Sequence, residues 1–154
     1  SAPYQCVATA DGYMTIGAAQ QNFWERLTDI IGRPELKADP RFKTNADRVA
    51  NNTVLIGLIE AELKKKPKAH WLTELEKAGI PCGPVMSYDE VLTDPHILAR
   101  DMYVPTEHAR AGTFNTLGVT VKLSDTPGSV RRAAPTLGQH TDEVLANPPR
   151  SRAK

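Results

Sequence analysis

The chain has 154 residues, a length that suits one folded domain with one core and is short for a multidomain enzyme. Its 19 lysines and arginines stand against 18 aspartates and glutamates, and the resulting net charge of +1 argues against nucleic acid or an anionic membrane as a partner. With 40% hydrophobic and 24% charged residues the chain is not wholly disordered, and its 12 prolines favour short elements over a long helical bundle.

The compartment is predicted from what the sequence lacks. No apolar run approaches the roughly 20 residues that span a bilayer, and the N-terminal SAPYQ has neither the basic nor the apolar region of a signal peptide. We therefore expect a cytoplasmic protein. The cysteines, Cys6 and Cys82, are too few for a secreted disulfide framework, so both are expected to be reduced thiols. The chain opens with Ser1 rather than Met, which is typical of a processed or truncated product.

A hairpin and then a helix are predicted at the start of the chain. Residues 5–9 and 13–17 form two strand-like runs around an Asp-Gly turn at Asp11, a dipeptide typical of tight hairpins. Apolar side chains then recur at helical spacing over residues 21–31, and Gly32 suits the C-terminal cap of that helix.

Two further helices are predicted in the first half. Apolar side chains recur at helical spacing from Thr53 to Leu63, and Pro67 separates this helix from a third over residues 68–78. Aromatic side chains on these helices could stack on a planar ligand. With only 6% aromatic residues in the chain, they are better interpreted as core, and they are Phe23, Trp24 and Trp71.

The second half predicts shorter elements. Ser87 has the spacing of a capping box at the start of one short helix, and Asp94 begins another. Residues 103–104 and 119–123 are predicted as strands, and a short helix follows His140.

No complete catalytic or metal-binding motif is present in the sequence. The four histidines are scattered, without the spacing that places two ligands on one helix face, and no glycine-rich phosphate loop occurs. Cys82 could act as a nucleophile, but a cysteine between two prolines is more often a small packing residue. The lysine-rich run at residues 64–68 could contact phosphate, but it is more typical of a solvated helix end.

One segment, residues 78–87 with the sequence AGIPCGPVMS, resembles a known family. It is similar to the C-terminal part of class III CoA-transferases, the family of formyl-CoA:oxalate CoA-transferase and carnitine CoA-transferase. Further matches lie in collinear order over nearly the whole chain, and they are Thr9–Tyr13, Asn22–Trp24, Asp39–Phe42, Arg48, Asp94–His96, Arg100–Met102 and Ala134–Leu145. The common order makes the resemblance specific, since a match such as Asp39–Phe42 is weak alone.

The resemblance implies a reaction whose nucleophile lies outside this chain. In the family, an aspartate of the N-terminal large domain attacks the acyl-CoA thioester to form a mixed anhydride. The released CoA thiolate then forms an aspartyl-CoA thioester, and the acceptor carboxylate takes the CoA away. None of the aspartates here corresponds to that nucleophile. The resemblance therefore implies no catalytic residue in this chain, no tightly bound cofactor, and an acyl-CoA and a small carboxylic acid as substrates.

Fold and organisation follow from the same resemblance. It implies an α+β fold in which residues 1–104 form a small domain of helices and a short antiparallel sheet. Residues 105–146 would be an extended segment and a C-terminal helix that return to a missing large domain, and residues 147–154 a frayed tail. Because family members form interlocked homodimers, we expect exposed apolar surface and a tendency to associate.

The candidate site is the loop formed by Ile80, Pro81, Cys82, Gly83 and Pro84. We expect it to lie nearest the acyl-CoA cleft, because it matches the family and its prolines fix the backbone. Two alternatives stay open at this point. An α-methylacyl-CoA racemase shares the fold but moves a proton, and a free-standing binding or assembly module would carry out no reaction.

Overall fold

The computed structural model describes residues 1–147 and divides into a first unit, Ser1–Met86, and a second unit that begins at Ser87. The first unit opens with strand β1 (Tyr4–Thr9) and strand β2 (Gly12–Gly17), which pair antiparallel with Thr9 opposite Gly12. Gly12 has a φ of 146°, which residues with a Cβ rarely adopt, so the Asp-Gly turn needs its glycine. The predicted hairpin is confirmed.

The helices of the first unit follow the hairpin, and a third strand completes its sheet. The helices are α1 (Gln21–Ile30), a 3₁₀ turn (Pro34–Lys37), α2 (Asn45–Ala50), α3 (Asn52–Leu63) and α4 (Lys68–Lys77). Strand β3 (Cys82–Pro84) then pairs antiparallel with β2, which gives the order β1, β2, β3. The three predicted helices are confirmed, and helix α2 is an addition that the apolar periodicity did not indicate.

One apolar core lies between the sheet and the helices of the first unit. Its buried members include side chains from both layers: Val7, Met14 and Ile16 from the sheet; Trp24 and Leu27 from α1; Leu55, Ile59 and Leu63 from α3; and Trp71 and Leu75 from α4. Trp24 and Trp71 are thus core residues, as expected, and Phe23 packs partly buried against them.

The described part of the second unit, residues 87–147, consists of short elements without a buried residue. They are α5 (Tyr88–Thr93), α6 (Pro95–Ala99), β4 (Tyr103–His108), β5 (Gly112–Leu117) and α7 (Thr141–Ala146). Strands β4 and β5 form a two-stranded antiparallel ribbon. The capping box predicted at Ser87 is confirmed, since its N–H donates to Glu90 Oε2 at 2.7 Å. No residue from 87 to 147 is classed as buried.

Two predictions of secondary structure need correction. Residues 119–123 are not a strand; the partner of β4 is β5, because a strand needs a hydrogen-bonded neighbour and the Gly112 turn brings β5 there first. The predicted loop at residues 80–84 is in part the strand β3. The predicted tail lies outside the described residues from residue 148 onwards.

The boundary after Met86 follows from the contacts within the chain, because the residues on each side of it group into a separate compact unit. The domain limits that the resemblance implied, at residues 104 and 146, stay predictions. Within residues 1–147, no helix is long and apolar enough to cross a membrane.

Candidate functional site

The candidate segment begins where α4 ends. Gly79 has a φ of 67° and closes the helix, and Ile80 N–H donates to Leu75 O at 2.9 Å. The Ile80 side chain is 2% exposed and belongs to the core. Of the five predicted site residues, Ile80 therefore anchors the segment and does not face a ligand.

Hydrogen bonds to strand β2 fix the rest of the segment. Pro81 O accepts a hydrogen bond from Gly17 N–H at 2.7 Å, and Gly83 O accepts one from Thr15 Oγ1 at 3.2 Å. A Cβ on Gly17 would lie 3.3 Å from Pro81 Cβ and 3.4 Å from the Tyr4 ring, so glycine allows the close approach there. The segment is a rigid edge of the sheet.

A cavity of about 380 Å³ lies against this edge. Its lining comes from all three strands and the segment before β3, and it is formed by Tyr4, Gln5, Cys6, Thr15, Ile16, Gly17, Pro81 and Cys82. The structure thus brings Pro81 and Cys82 to one cavity, whereas Gly83 and Pro84 do not line it. Its size lies within the range of small-molecule pockets.

Cys82 has the environment of a packing residue. Its side chain is partly buried against the core, and Sγ lies 4.0 Å from Leu72 O. Burial raises the pKa of the Cys82 thiol, and the negative charge of Glu76 raises it further. Because the thiolate is the nucleophilic form, a raised pKa argues against the nucleophile hypothesis.

Sequence reasoning noted Arg48, on α2, only as a match to the family, and it missed the burial and the contacts of this side chain. It is fully buried, and its guanidinium donates to the carbonyl oxygens of Ala2 at 2.9 Å, Ala19 at 2.8 Å and Phe42 at 3.1 Å. A further bond goes to Gln21 Oε1 at 3.1 Å. Burial lowers the pKa of Arg48, but an arginine stays charged at neutral pH.

Arg48 organises the backbone around the start of the sheet and does not reach a ligand. The centre of its guanidinium lies 5.1 Å from the Trp24 ring centroid, and neighbouring Asn45 Nδ2 donates to Ala19 O at 3.0 Å. A signal for this helix was present in the sequence, since Thr44 and Asp47 form a capping box in which each bonds the other's backbone N–H.

The remaining candidate residues from the sequence have ordinary structural roles. In the lysine run, Lys64 pairs with Glu60 at 3.1 Å and Lys65 with Glu62 at 2.6 Å, on side chains that are 55% and 64% exposed. These pairs describe a solvated helix end. Within residues 1–147, no cluster of three or more His, Cys, Asp or Glu side chains is placed to hold a metal ion.

Comparisons with known sequences point in one direction. The family model described as "CoA-transferase family III" matches residues 1–141. A formyl-CoA:oxalate CoA-transferase of Streptomyces coelicolor is 39% identical over 121 residues, which are 79% of this chain and 29% of that protein. A human succinyl-CoA:glutarate CoA-transferase is 32% identical over 143 residues, 93% of this chain and 33% of that protein. The chain therefore spans about a third of the length of these curated relatives.

Solved structures give the same result for the fold. The chain matches a CAIB/BAIF family protein of Brucella suis with a TM-score of 0.78 and 32% identity, over 94% of this chain and 37% of that one. It matches a protein of M. tuberculosis with a TM-score of 0.79 and 26% identity, over 92% of this chain and 40% of that one. The α+β fold of helices beside small antiparallel sheets is thereby confirmed.

Proposed function

Because this chain belongs to CoA-transferase family III, we propose that it is the C-terminal part of an acyl-CoA:carboxylate CoA-transferase. The proposal rests on one observation, which is how much of each of the two proteins their match covers. The human succinyl-CoA:glutarate CoA-transferase matches 93% of this chain, and the chain matches only 33% of that enzyme. A unit of this size fits one portion of a larger enzyme, and the nucleophile would lie in the remaining portion.

The role we propose for the chain is to complete the acyl-CoA cleft. The edge formed by Pro81, Cys82, Gly83 and Pro84 supports this role, because it is held rigidly on β2 and in part lines a cavity. Rigid walls position a substrate and keep water away from reactive intermediates. Ile80 would serve the cleft indirectly, as the buried anchor of that edge.

The chemistry we propose for the whole enzyme is covalent. A carboxylate outside this chain attacks the thioester carbonyl of the acyl-CoA, and the CoA thiolate leaves as the mixed anhydride forms. The thiolate attacks the enzyme's carbonyl in that anhydride, which gives an enzyme-CoA thioester and releases the first acid. The acceptor carboxylate then attacks this thioester, and the CoA thiolate leaves as a second mixed anhydride forms. The thiolate attacks the acceptor's carbonyl in that anhydride, which gives the new acyl-CoA and restores the enzyme carboxylate.

The names of the relatives set the substrate class that we propose. Formyl-CoA or a dicarboxylic acyl-CoA would be the donor, and a small acid such as oxalate or glutarate would be the acceptor. CoA is a substrate here and no tightly bound cofactor is invoked. A cytoplasmic location and an interlocked homodimer complete the proposal on the strength of the family resemblance.

The experiment is an assay of the natural full-length protein, obtained by reading the coding sequence in frame upstream of Ser1. The protein is incubated with formyl-CoA or succinyl-CoA and a panel of carboxylic acids, and new acyl-CoA species are separated by mass. Transfer to one acid supports the proposal. Deuterium exchange at the α-carbon of a branched acyl-CoA without transfer would identify a racemase, and neither reaction would favour a binding module. The chain without its upstream part is expected to give no transfer.

The cleft role has its own test within the full-length enzyme. Pro81→Ala and Gly83→Ala should change turnover or acceptor choice, since both alter the rigid edge. Pro67→Ala is the matched control, because Pro67 lies before α4 and does not line the cavity. If the edge variants transfer CoA as the control does, with the same acceptor preference, this segment does not form the cleft.

A further inference from the structure

A second cavity, of about 810 Å³, lies entirely within the second unit. It is bounded by β4, by residues 130–134 and by the turn before α7. Two adjacent arginines, Arg131 and Arg132, line it. Among residues 1–147, neither guanidinium has an ion-pair or hydrogen-bond partner, so their donors are available to a ligand.

His108 adds a ring N–H donor to the lining. Its Nδ1 accepts the backbone N–H groups of Arg110 at 3.1 Å and Ala111 at 3.0 Å. A nitrogen that accepts two hydrogen bonds carries no proton, so the ring proton lies on Nε2. The ring is also held edge-on to Phe114, with centroids 6.0 Å apart.

Gln139 also lines the cavity, and hydrogen bonds hold its side-chain amide. Its Oε1 accepts from Thr136 N–H at 2.9 Å and from Thr136 Oγ1 at 3.3 Å, within the turn before α7. The amide oxygen is thus satisfied within this turn, and the side-chain NH₂ has no acceptor among residues 1–147. Arg131, Arg132, His108 and Gln139 therefore all line one cavity, and each has a side-chain N–H with no acceptor among residues 1–147.

We propose that this cavity binds a phosphate group of an organic phosphate. Phosphate oxygens accept several hydrogen bonds at once, and guanidinium groups match their geometry. The identification of CoA as the ligand rests on the proposed function, whereas phosphate recognition itself does not. The one acidic side chain in the lining, Glu107, has its Oε1 bonded to Thr113 Oγ1 at 2.6 Å and opposes the anion.

The test measures equilibrium binding to the full-length protein, with CoA, 3′-dephospho-CoA and inorganic pyrophosphate as probes. Arg131→Gln and Arg132→Gln should each weaken binding of the recognised probe by about tenfold, since each removes a charge-assisted contact. Glu107→Gln should strengthen it by about threefold, because it removes an opposing charge. Arg100→Gln is the matched control, since Arg100 is an exposed arginine of the same unit that does not line the cavity.

The outcomes separate the two proposals. Weaker CoA binding in both arginine variants, with the control unchanged, supports the site, and an effect lost with 3′-dephospho-CoA assigns it to the 3′-phosphate. Pyrophosphate binding that depends on the two arginines, in a protein that transfers no CoA, keeps the site and contradicts the proposed function. Equal binding by wild type and both arginine variants, or an equal loss in the control, would overturn the site.

Discussion

The two units contain the same kinds of local structure but differ in whether a buried apolar core supports it. Both contain an antiparallel hairpin and a capping box, at Thr44 in the first unit and Ser87 in the second. All buried residues among residues 1–147 lie between Ala2 and Ile80, and the second unit has none. Hydrogen bonds and caps can therefore define an element without giving it a core, and burial is the larger source of stability.

The apolar side chains of the second unit make the contrast concrete. Leu117 is 78% exposed, Leu137 106% and Leu145 73%. Isolated apolar residues on a surface are ordinary, but a unit whose described apolar residues are at most partly buried gains less from burial than one with a core. The contrast is what a segment of a larger enzyme would show if its partner surface were missing, which agrees with the proposed function.

The largest predicted effect concerns the buried arginine. Arg48→Met should lower the free energy of unfolding by about 4 kcal/mol, because it removes four hydrogen bonds from a buried side chain, three of them to main-chain oxygens. Arg41→Met is the control in the same unit, since Arg41 pairs with Asp39 on a side chain that is 51% exposed. That control should cost less than about 1 kcal/mol. Urea unfolding followed by tryptophan fluorescence measures both, and similar losses would mean that the Arg48 bonds add nothing beyond a surface pair.

A pair of leucines compares the units directly. Leu63→Ala should cost about 3 kcal/mol, because it leaves a cavity beneath α3 in the first unit. Leu137→Ala should leave the free energy of unfolding unchanged, since that side chain is fully exposed. The same urea unfolding measures both variants. A substantial loss from Leu137→Ala would show that the second unit buries this leucine in solution, and the contrast between the units would then be wrong.

The two capping boxes give a smaller effect with a pH dependence. Thr44→Ala should cost about 1 kcal/mol at neutral pH through loss of the cap. The Thr44 hydroxyl, together with its backbone N–H, holds the pKa of Asp47 below its usual range. A depressed carboxyl pKa stabilises the fold above the unfolded-state value and loses that effect as the pH falls through the folded-state value.

The measurement is thermal unfolding of wild type and Thr44→Ala at neutral pH and in acid. The difference between them should shrink as Asp47 becomes protonated. Ser87→Ala serves as the counterpart in the second unit and should leave the main transition unchanged at either pH. A shift of that transition by Ser87→Ala would mean that α5 unfolds together with the first unit.

The smallest effect distinguishes the two thiols. Cys82→Ser should cost at most about 1 kcal/mol, since it puts a hydroxyl at a partly buried site, and Cys6→Ser should cost nothing, since Cys6 is exposed. In the folded protein a thiol reagent should modify Cys6 first, because burial keeps Cys82 in its thiol form. Faster labelling of Cys82 than of Cys6 would reopen the nucleophile hypothesis.

Local patterns predicted much of the first unit. The Asp-Gly turn and the three apolar helical repeats needed only neighbours in sequence, and the structure confirms them. Burial of Arg48 could not be read from residue type, because arginines are usually exposed and its partners are distant carbonyl oxygens.

Predictions that depend on partners distant in sequence were less accurate than those that depend on local patterns. The alternating residues 119–123 have the pattern of a strand, yet they pair with no described strand. Strand β5 pairs with β4 because the Gly112 turn connects them. In the candidate segment the sequence predicted a rigid backbone. It did not predict that Ile80 is buried, since that burial depends on core residues distant in sequence. The placement of Arg131, Arg132 and His108 in the lining of one cavity likewise has no signature in their sequence spacing.

The contacts of Arg48 have a consequence for how relatives vary. Three of its four hydrogen bonds go to main-chain oxygens and none goes to a carboxylate. A salt bridge leaves a record of paired substitutions, because exchange of one partner favours exchange of the other. Among residues 1–147, no carboxylate accepts a hydrogen bond from Arg48, so an alignment of relatives should show a constant arginine without a co-varying acidic position.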